Sequence, residues 1–225
     1  MPFEIMRDVY HMGPLIASLY GRPPLNGPIG INLSPEGLRV GRYKREERPL
    51  YIVDVDKGQS GQKLQVWYLP YEPNQTHYTI LDPRQATIMI TEIMDGCTFG
   101  VGTATINGET IVCHANFGAN DRTTQQSIQR VNAINTLNSY GGRLSPNGLR
   151  PKLVEPKDYR YANKGETSML LFGIYSDGKS GWFTGKGGGW KWRFYRHTFI
   201  KGFDKWEIKK RGERIFMLGN NGLQC

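Results

Sequence analysis

The sequence predicts an α+β fold, mostly β, with a sandwich-like core of mixed sheets, one main helix near residues 123–138, and long loops. Three observations carry that prediction. Short runs rich in β-branched and aromatic residues recur between turn residues, as in Leu50–Val55, Leu64–Leu69 and Thr87–Met94. The 225 residues contain 28 Gly and 13 Pro, a density of turns that favours short strands over long helices. Only one stretch has apolar residues recurring every three positions: Ile128, Val131, Ile134 and Leu137.

In chain order, residues 1–48 read as loop with a few short strands, because Gly21, Pro23, Pro24, Gly27, Pro28 and Gly30 crowd together. The β-rich runs follow, separated by Lys57-Gly58 and by Pro70 to Asn74. Two further runs, Thr98–Ile106 and Glu109–Asn116, flank Asn107-Gly108, the dipeptide that most strongly signals a tight hairpin. Either Asp121 or Thr123 can cap the helix, and Gly141-Gly142 ends it. After the Pro-containing segment 145–156, strands resume at Met169–Tyr175, Trp190–Ile200, Trp206–Lys209 and Arg214–Leu218, with Lys209-Lys210-Arg211 as a turn between the last two. No repeat or linker divides the chain, so 1–225 reads as one domain, its basic β-rich part being 150–225.

Charge is distributed unevenly. From Arg150 onward there are 16 Lys and Arg against 7 Asp and Glu, which accounts for the whole net charge of +9. An acidic protein, RNA or an anionic membrane is a suitable partner for such a surface. Three cysteines, an odd number, do not make a disulfide framework and suit a reducing cytosol. No apolar run is long enough to span a bilayer, and Met1 to Asp8 lacks the basic start and apolar stretch of a secretory signal.

The chemistry is expected at Cys97 and His114. Gly96 directly precedes Cys97, lets the backbone turn sharply and removes a Cβ from the path of a substrate carbonyl. Backbone N–H groups at such a turn suit an oxyanion. A thiol becomes nucleophilic when a neighbouring imidazole takes its proton, and His114 lies on the return strand of the hairpin. A two-residue turn at Asn107-Gly108 pairs Val101 with His114, leaving Cys97 roughly 13 Å further along on the same face. Contact then requires a bulge at Gly100 or Gly102, or a bend at the strand start. Asn116 or a backbone carbonyl is expected to orient the imidazole. The remaining histidines, His11, His77 and His197, do not cluster with cysteines or carboxylates at ligand spacing, so neither metal nor cofactor is expected.

The stretches Val66–Pro73, Thr79–Pro83, Thr91–Cys97 and Val112–Ala115 resemble the family of bacterial glutamine-deamidase toxins that comprises Burkholderia lethal factor 1 and the catalytic domains of the cytotoxic necrotizing factors. The resemblance covers Leu64 to Asn116. It implies Cys97 as nucleophile, His114 as general base and acid, and Thr91 as a residue supporting the site. It implies a hydrolase, a virulence effector acting as a monomer in the cytosol of a target cell. The glutamine it converts would lie in a host protein, a Rho-type GTPase or an RNA helicase of translation initiation. Transglutamination is the expected side activity. Two features depart from the family: Asp95 stands where a serine is expected, and the Cys-to-His separation is longer. An anion at Asp95 is expected to raise the thiol pKa.

A second reading is a basic β-rich binding module without catalysis. Gly185 to His197 mixes cations with aromatics, a pattern that can stack on bases and hold phosphates. The same alternation suits an ordinary strand with Trp190, Trp192 and Phe194 on one face and Lys191, Arg193 and Tyr195 on the other.

Overall fold

The structure, a computed structural model, describes the backbone of residues 15–17, 28–43, 46–55, 64–103, 109–140, 151–160, 167–176, 191–200, 205–219 and 222–224, with side chains for 28, 65–103, 109–140, 151–160, 167–175 and 191–200. Thirteen strands and two helices occur among these residues. The early strands are β1 Leu15–Ala17, β2 Ile29–Tyr43, β3 Glu46–Val55, β4 Leu64–Leu69, β5 Gln75–Leu81, β6 Ile88–Thr91, β7 Thr98–Thr103 and β8 Thr110–Asn116. The main helix, α1, spans Arg122–Tyr140 and is followed by β9 Lys152–Val154 and the one-turn helix α2 Pro156–Tyr159. The chain continues through β10 Thr167–Ser176, β11 Lys191–Ile200, β12 Lys205–Gly219 and β13 Gly222–Gln224. The fold is therefore α+β and mostly β, as the sequence predicts.

Two sheets form. One has nine strands in the order β1-β3-β2-β4-β6-β10-β11-β12-β13 and mixes parallel with antiparallel neighbours. A parallel pairing of β12 with β2 closes six of these strands into a ring. The other sheet is antiparallel, in the order β5-β8-β7-β9. It lies between the nine-stranded sheet and α1, so both of its faces are buried. Phe99, Val101, Val112 and Val154 meet Trp67, Leu69, Met89, Leu171 and Phe194 of the larger sheet in one core. Ile111, Cys113 and Ala115 meet Ala133 and Leu137 of α1 in a second. Because successive strand residues point to opposite faces, β8 divides its side chains strictly between these two environments.

Close approach of α1 depends on Gly100. A Cβ there would lie 2.8 Å from both Cys113 Sγ and Leu137 Cδ1, so the helix packs against bare backbone. Asp121 is the cap: its Oδ1 accepts a hydrogen bond from the Thr124 N–H at 2.9 Å. The buried stripe of the helix is Gln129, Ala133 and Leu137, at four-residue spacing. Val131 is 51% exposed, because three-residue steps drift around a helix of 3.6 residues per turn.

Several expectations are corrected. Ile29–Tyr43 and Glu46–Val55 pair as long antiparallel strands rather than forming loop, with a register shift between Glu36 and Val40. Lys209 to Arg211 is no turn, since β12 runs through it, bulged against β11. Strand β5 was not anticipated, although Gln75–Leu81 is rich in Thr, Tyr and Ile. Asn107-Gly108, the segment 185–190 and His11 lie outside the described residues. Among the described residues, no helix is long and apolar enough to cross a membrane.

Candidate active site

The site forms where the chain leaves β6 and enters β7. Thr91, fully buried, ends the pairing of β6 with β10: its hydroxyl donates to the Leu171 carbonyl and accepts from the Leu171 N–H, both at 3.2 Å. Beyond it the backbone touches β10 again only at Met94, whose N–H and carbonyl pair with Met169. Asp95 then hydrogen-bonds the Ser168 hydroxyl. Gly96 turns the chain with φ +102°, in the region that disfavours a side chain. A Cβ at Gly96 would also lie 2.8 Å from Nη2 of Arg160.

Tyr159 locks this turn. Its hydroxyl accepts from the Gly96 N–H and donates to the Cys97 carbonyl, each at 2.9 Å. Helix α2 delivers it through a capping box between Glu155 and Asp158, with Pro156 in the first turn. Glu155 in turn pairs with Arg130 of α1 and with Lys157, both at 2.9 Å. One consequence is that the Gly96 N–H is engaged by Tyr159, so the turn does not offer it to an oxyanion.

Cys97 and His114 come together through register, not through a bulge. The β7–β8 ladder is regular from Thr98↔Ala115 to Thr103↔Thr110 and sets Phe99, rather than Val101, opposite His114. The pairing is shifted two residues from that of a two-residue turn. Gly100 and Gly102 lie in the regular ladder. A two-residue shift preserves the face. Cys97, two residues before Phe99, is then the diagonal neighbour of His114, a relation that separates Cα atoms by about 7–8 Å in an antiparallel pair.

The thiol and the imidazole are not hydrogen-bonded to each other. Cys97 Sγ lies 3.5 Å from Asn116 Oδ1, and Asn116 Nδ2 donates to the Glu72 carbonyl at 3.3 Å. Asn116 therefore faces the sulfur and does not orient the ring. The carbonyls of Leu69 and Pro70 lie beside His114, although neither ring nitrogen has a hydrogen bond of full geometry. Tyr71 covers the ring at 6.3 Å between centroids, and is itself 42% exposed. His77 of β5 sits directly opposite His114 in the sheet, with its Nε2 3.4 Å from Glu72 Oε2.

The pair rests neutral. Burial pushes the Cys97 thiol up to about 12. The Asp95 carboxylate adds to the rise, as its replacement of a serine suggests, and Glu92 acts in the same direction. Opposing them are the Asp95 N–H aimed at the sulfur and the Arg160 guanidinium. Burial pushes His114 down to about 4, helped by His77 and opposed by the Pro70 and Leu69 carbonyls. Glu92 is also raised by burial, while the Tyr71 N–H, 3.0 Å away, and the Tyr68 hydroxyl hold it back.

Of the residues the sequence singles out, Cys97, His114, Gly96 and Asn116 converge. Thr91 shapes the approach through Leu171 without bonding to the pair. Sequence reasoning missed Tyr159, Arg160, His77 and Glu72. His77 was set aside as unclustered, yet β5 brings it to both an imidazole and a carboxylate. The alternating pattern of the missed strand was its available signal. The chain matches no protein-family model, and no curated protein is significantly similar to it in sequence.

Proposed function

We propose that the chain is a cysteine-dependent glutamine deamidase of the toxin or effector type. The observation that carries this reading is the shared buried face of Cys97 and His114, diagonal neighbours behind a strained glycine turn. Burial alone would explain a core cysteine. It does not explain a φ of +102° locked by a tyrosine, an asparagine facing the sulfur, or two buried imidazoles directly opposed on the neighbouring strands. The resemblance over Leu64 to Asn116 supplies the substrate class: a glutamine of a host protein, such as a Rho-type GTPase or a translation-initiation helicase.

In this reaction the substrate amide carbon approaches Sγ, and the thiol proton passes to His114 as the C–S bond forms. The tetrahedral intermediate collapses by breaking the C–N bond, and the imidazolium gives its proton to the departing ammonia. Water then attacks the thioester while His114 takes its proton. The C–S bond breaks, the proton returns to sulfur, and glutamate is released. Since both groups rest neutral, the proton moves during attack rather than beforehand. An amine in place of water gives transglutamination.

Against the competing reading, a base-stacking surface, the described part of its strand presents no exposed aromatic. Strand β11 is buried on both faces: Trp192 is 2% exposed, Phe194 0%, Lys191 8% and Arg193 1%. The deamidase reading is tested by mass spectrometry of eukaryotic cell extract treated with the wild type or with Cys97→Ala. Glutamine-to-glutamate conversion at a defined protein site, absent with the variant, is the expected result. Full toxicity of both Cys97→Ala and His114→Ala in cells would sink it.

A further inference from the structure

The site contains a second imidazole that the reaction above does not use. We propose that His77, set against Glu72, is a positioning residue that acts through His114, holding it as the free base that accepts the Cys97 proton. The inference rests on reading Cys97 and His114 as the catalytic pair.

The geometry is built by the sheet. His77 and His114 are directly opposed on β5 and β8, and both face the nine-stranded sheet, 8% and 1% exposed. Directly opposed residues hold their Cβ atoms about 4.5–5.5 Å apart, so two imidazoles here cannot both carry charge cheaply. Their surroundings are unequal. The Glu72 carboxylate lies 3.4 Å from His77 Nε2. His114 has no carboxylate partner; its neighbours are the Leu69 and Pro70 carbonyls and the Tyr71 ring. From the other elements around the site come Asp95, Glu92 and Arg160, which act on the thiol, and Asn116, which binds it. A positive charge on either ring opposes one on the other, and at His114 the facing His77 acts against protonation. Burial lowers His114 in the same sense.

The test is an NMR titration of the full-length chain labelled with 15N-histidine, with His114 assigned from the spectrum of His114→Gln. In the wild type, His114 stays neutral down to about pH 4 or to acid unfolding. His77→Gln raises its midpoint by about one pH unit. The acid limb of kcat/KM for the protein substrate moves up by the same amount. An unmoved or lowered His114 midpoint in His77→Gln overturns the proposal. So does a wild-type His114 that titrates at or above the free-imidazole value of about 6.5. Where His77→Gln fails to fold, an unmoved His114 midpoint in His77→Asn overturns it equally. The titration needs no substrate, so its outcome is independent of whether deamidation is found.

Discussion

Cys97 and Cys113 stand on opposite faces of one sheet, and by the usual descriptors they are the same residue. Both are free and buried, and burial pushes both thiols up to about 12. What separates them is the company on each face. Cys113 lies among Ile111, Ala115, Ala133 and Leu137, its sulfur 3.8 Å from the Ala133 carbonyl of α1. Cys97 lies between an asparagine, an imidazole and a glycine turn pinned by Tyr159. One face is a helix-packing surface; the other gathers donors and acceptors where an apolar core does not need them. Neither burial nor thiol acidity tells the two apart; their neighbours do, and these support the proposed role of Cys97 as nucleophile.

That contrast is most exposed to replacement of the sulfurs. Cys97→Ala is expected to lower glutamine deamidation by about a thousandfold or more, whereas Cys113→Ala keeps activity per folded molecule within about threefold. Equal losses, read by mass spectrometry of the modified protein, would erase the distinction. The helix face should instead reveal itself in stability. Gly100→Ala forces a methyl against Cys113 Sγ and Leu137 Cδ1 and is expected to cost about 1–3 kcal/mol, a drop of several degrees in Tm. Gly102→Ala, whose added Cβ meets nothing nearer than 3.4 Å, should change Tm much less.

Tyr159→Phe should act on the site face alone. It strands the Gly96 N–H and the Cys97 carbonyl, loosens the turn, and is expected to lower kcat about tenfold while leaving helix packing unchanged, as checked by circular dichroism. The two faces should respond alike on the alkaline side of the pH dependence of unfolding. His114 has a folded value, about 4, below its free one, so its contribution is complete above about pH 6.5 and is lost as pH falls toward 4. The thiols have folded values of about 12, above their free ones, so theirs is complete below about pH 8.5 and is lost as pH rises toward 12. Denaturant midpoints should therefore plateau between those limits. Cys97→Ala and Cys113→Ala should flatten the alkaline side alike, since burial dominates both.

The strand succession and the helix were legible because their signals are local. Periodicity, turn residues and the Gly96-Cys97 step need no knowledge of distant partners. The register of β7 against β8 was not legible, because it is set by packing on both faces as well as by the turn. Phe99 must meet Phe194 on one side while bare Gly100 meets Leu137 on the other. Tyr159 and Arg160 were illegible for a different reason: they reach Cys97 across more than sixty residues, after a Pro-containing stretch whose ends alone read as structure. The aromatic–basic strand was read correctly as alternating. Burial of Lys191 and Arg193 was hidden because alternation reports two faces without saying what covers each.

The buried, protonated sulfur of Cys97 has a practical consequence for chemical biology. Burial holds the sulfur in its protonated, weakly nucleophilic form at neutral pH. Small electrophiles that profile cysteines by reactivity will pass over this one as readily as over Cys113, and mild oxidants will spare it. On the proposed reaction, an inhibitor must therefore seat its electrophile against Sγ so that the proton can pass to His114 as the bond to sulfur forms.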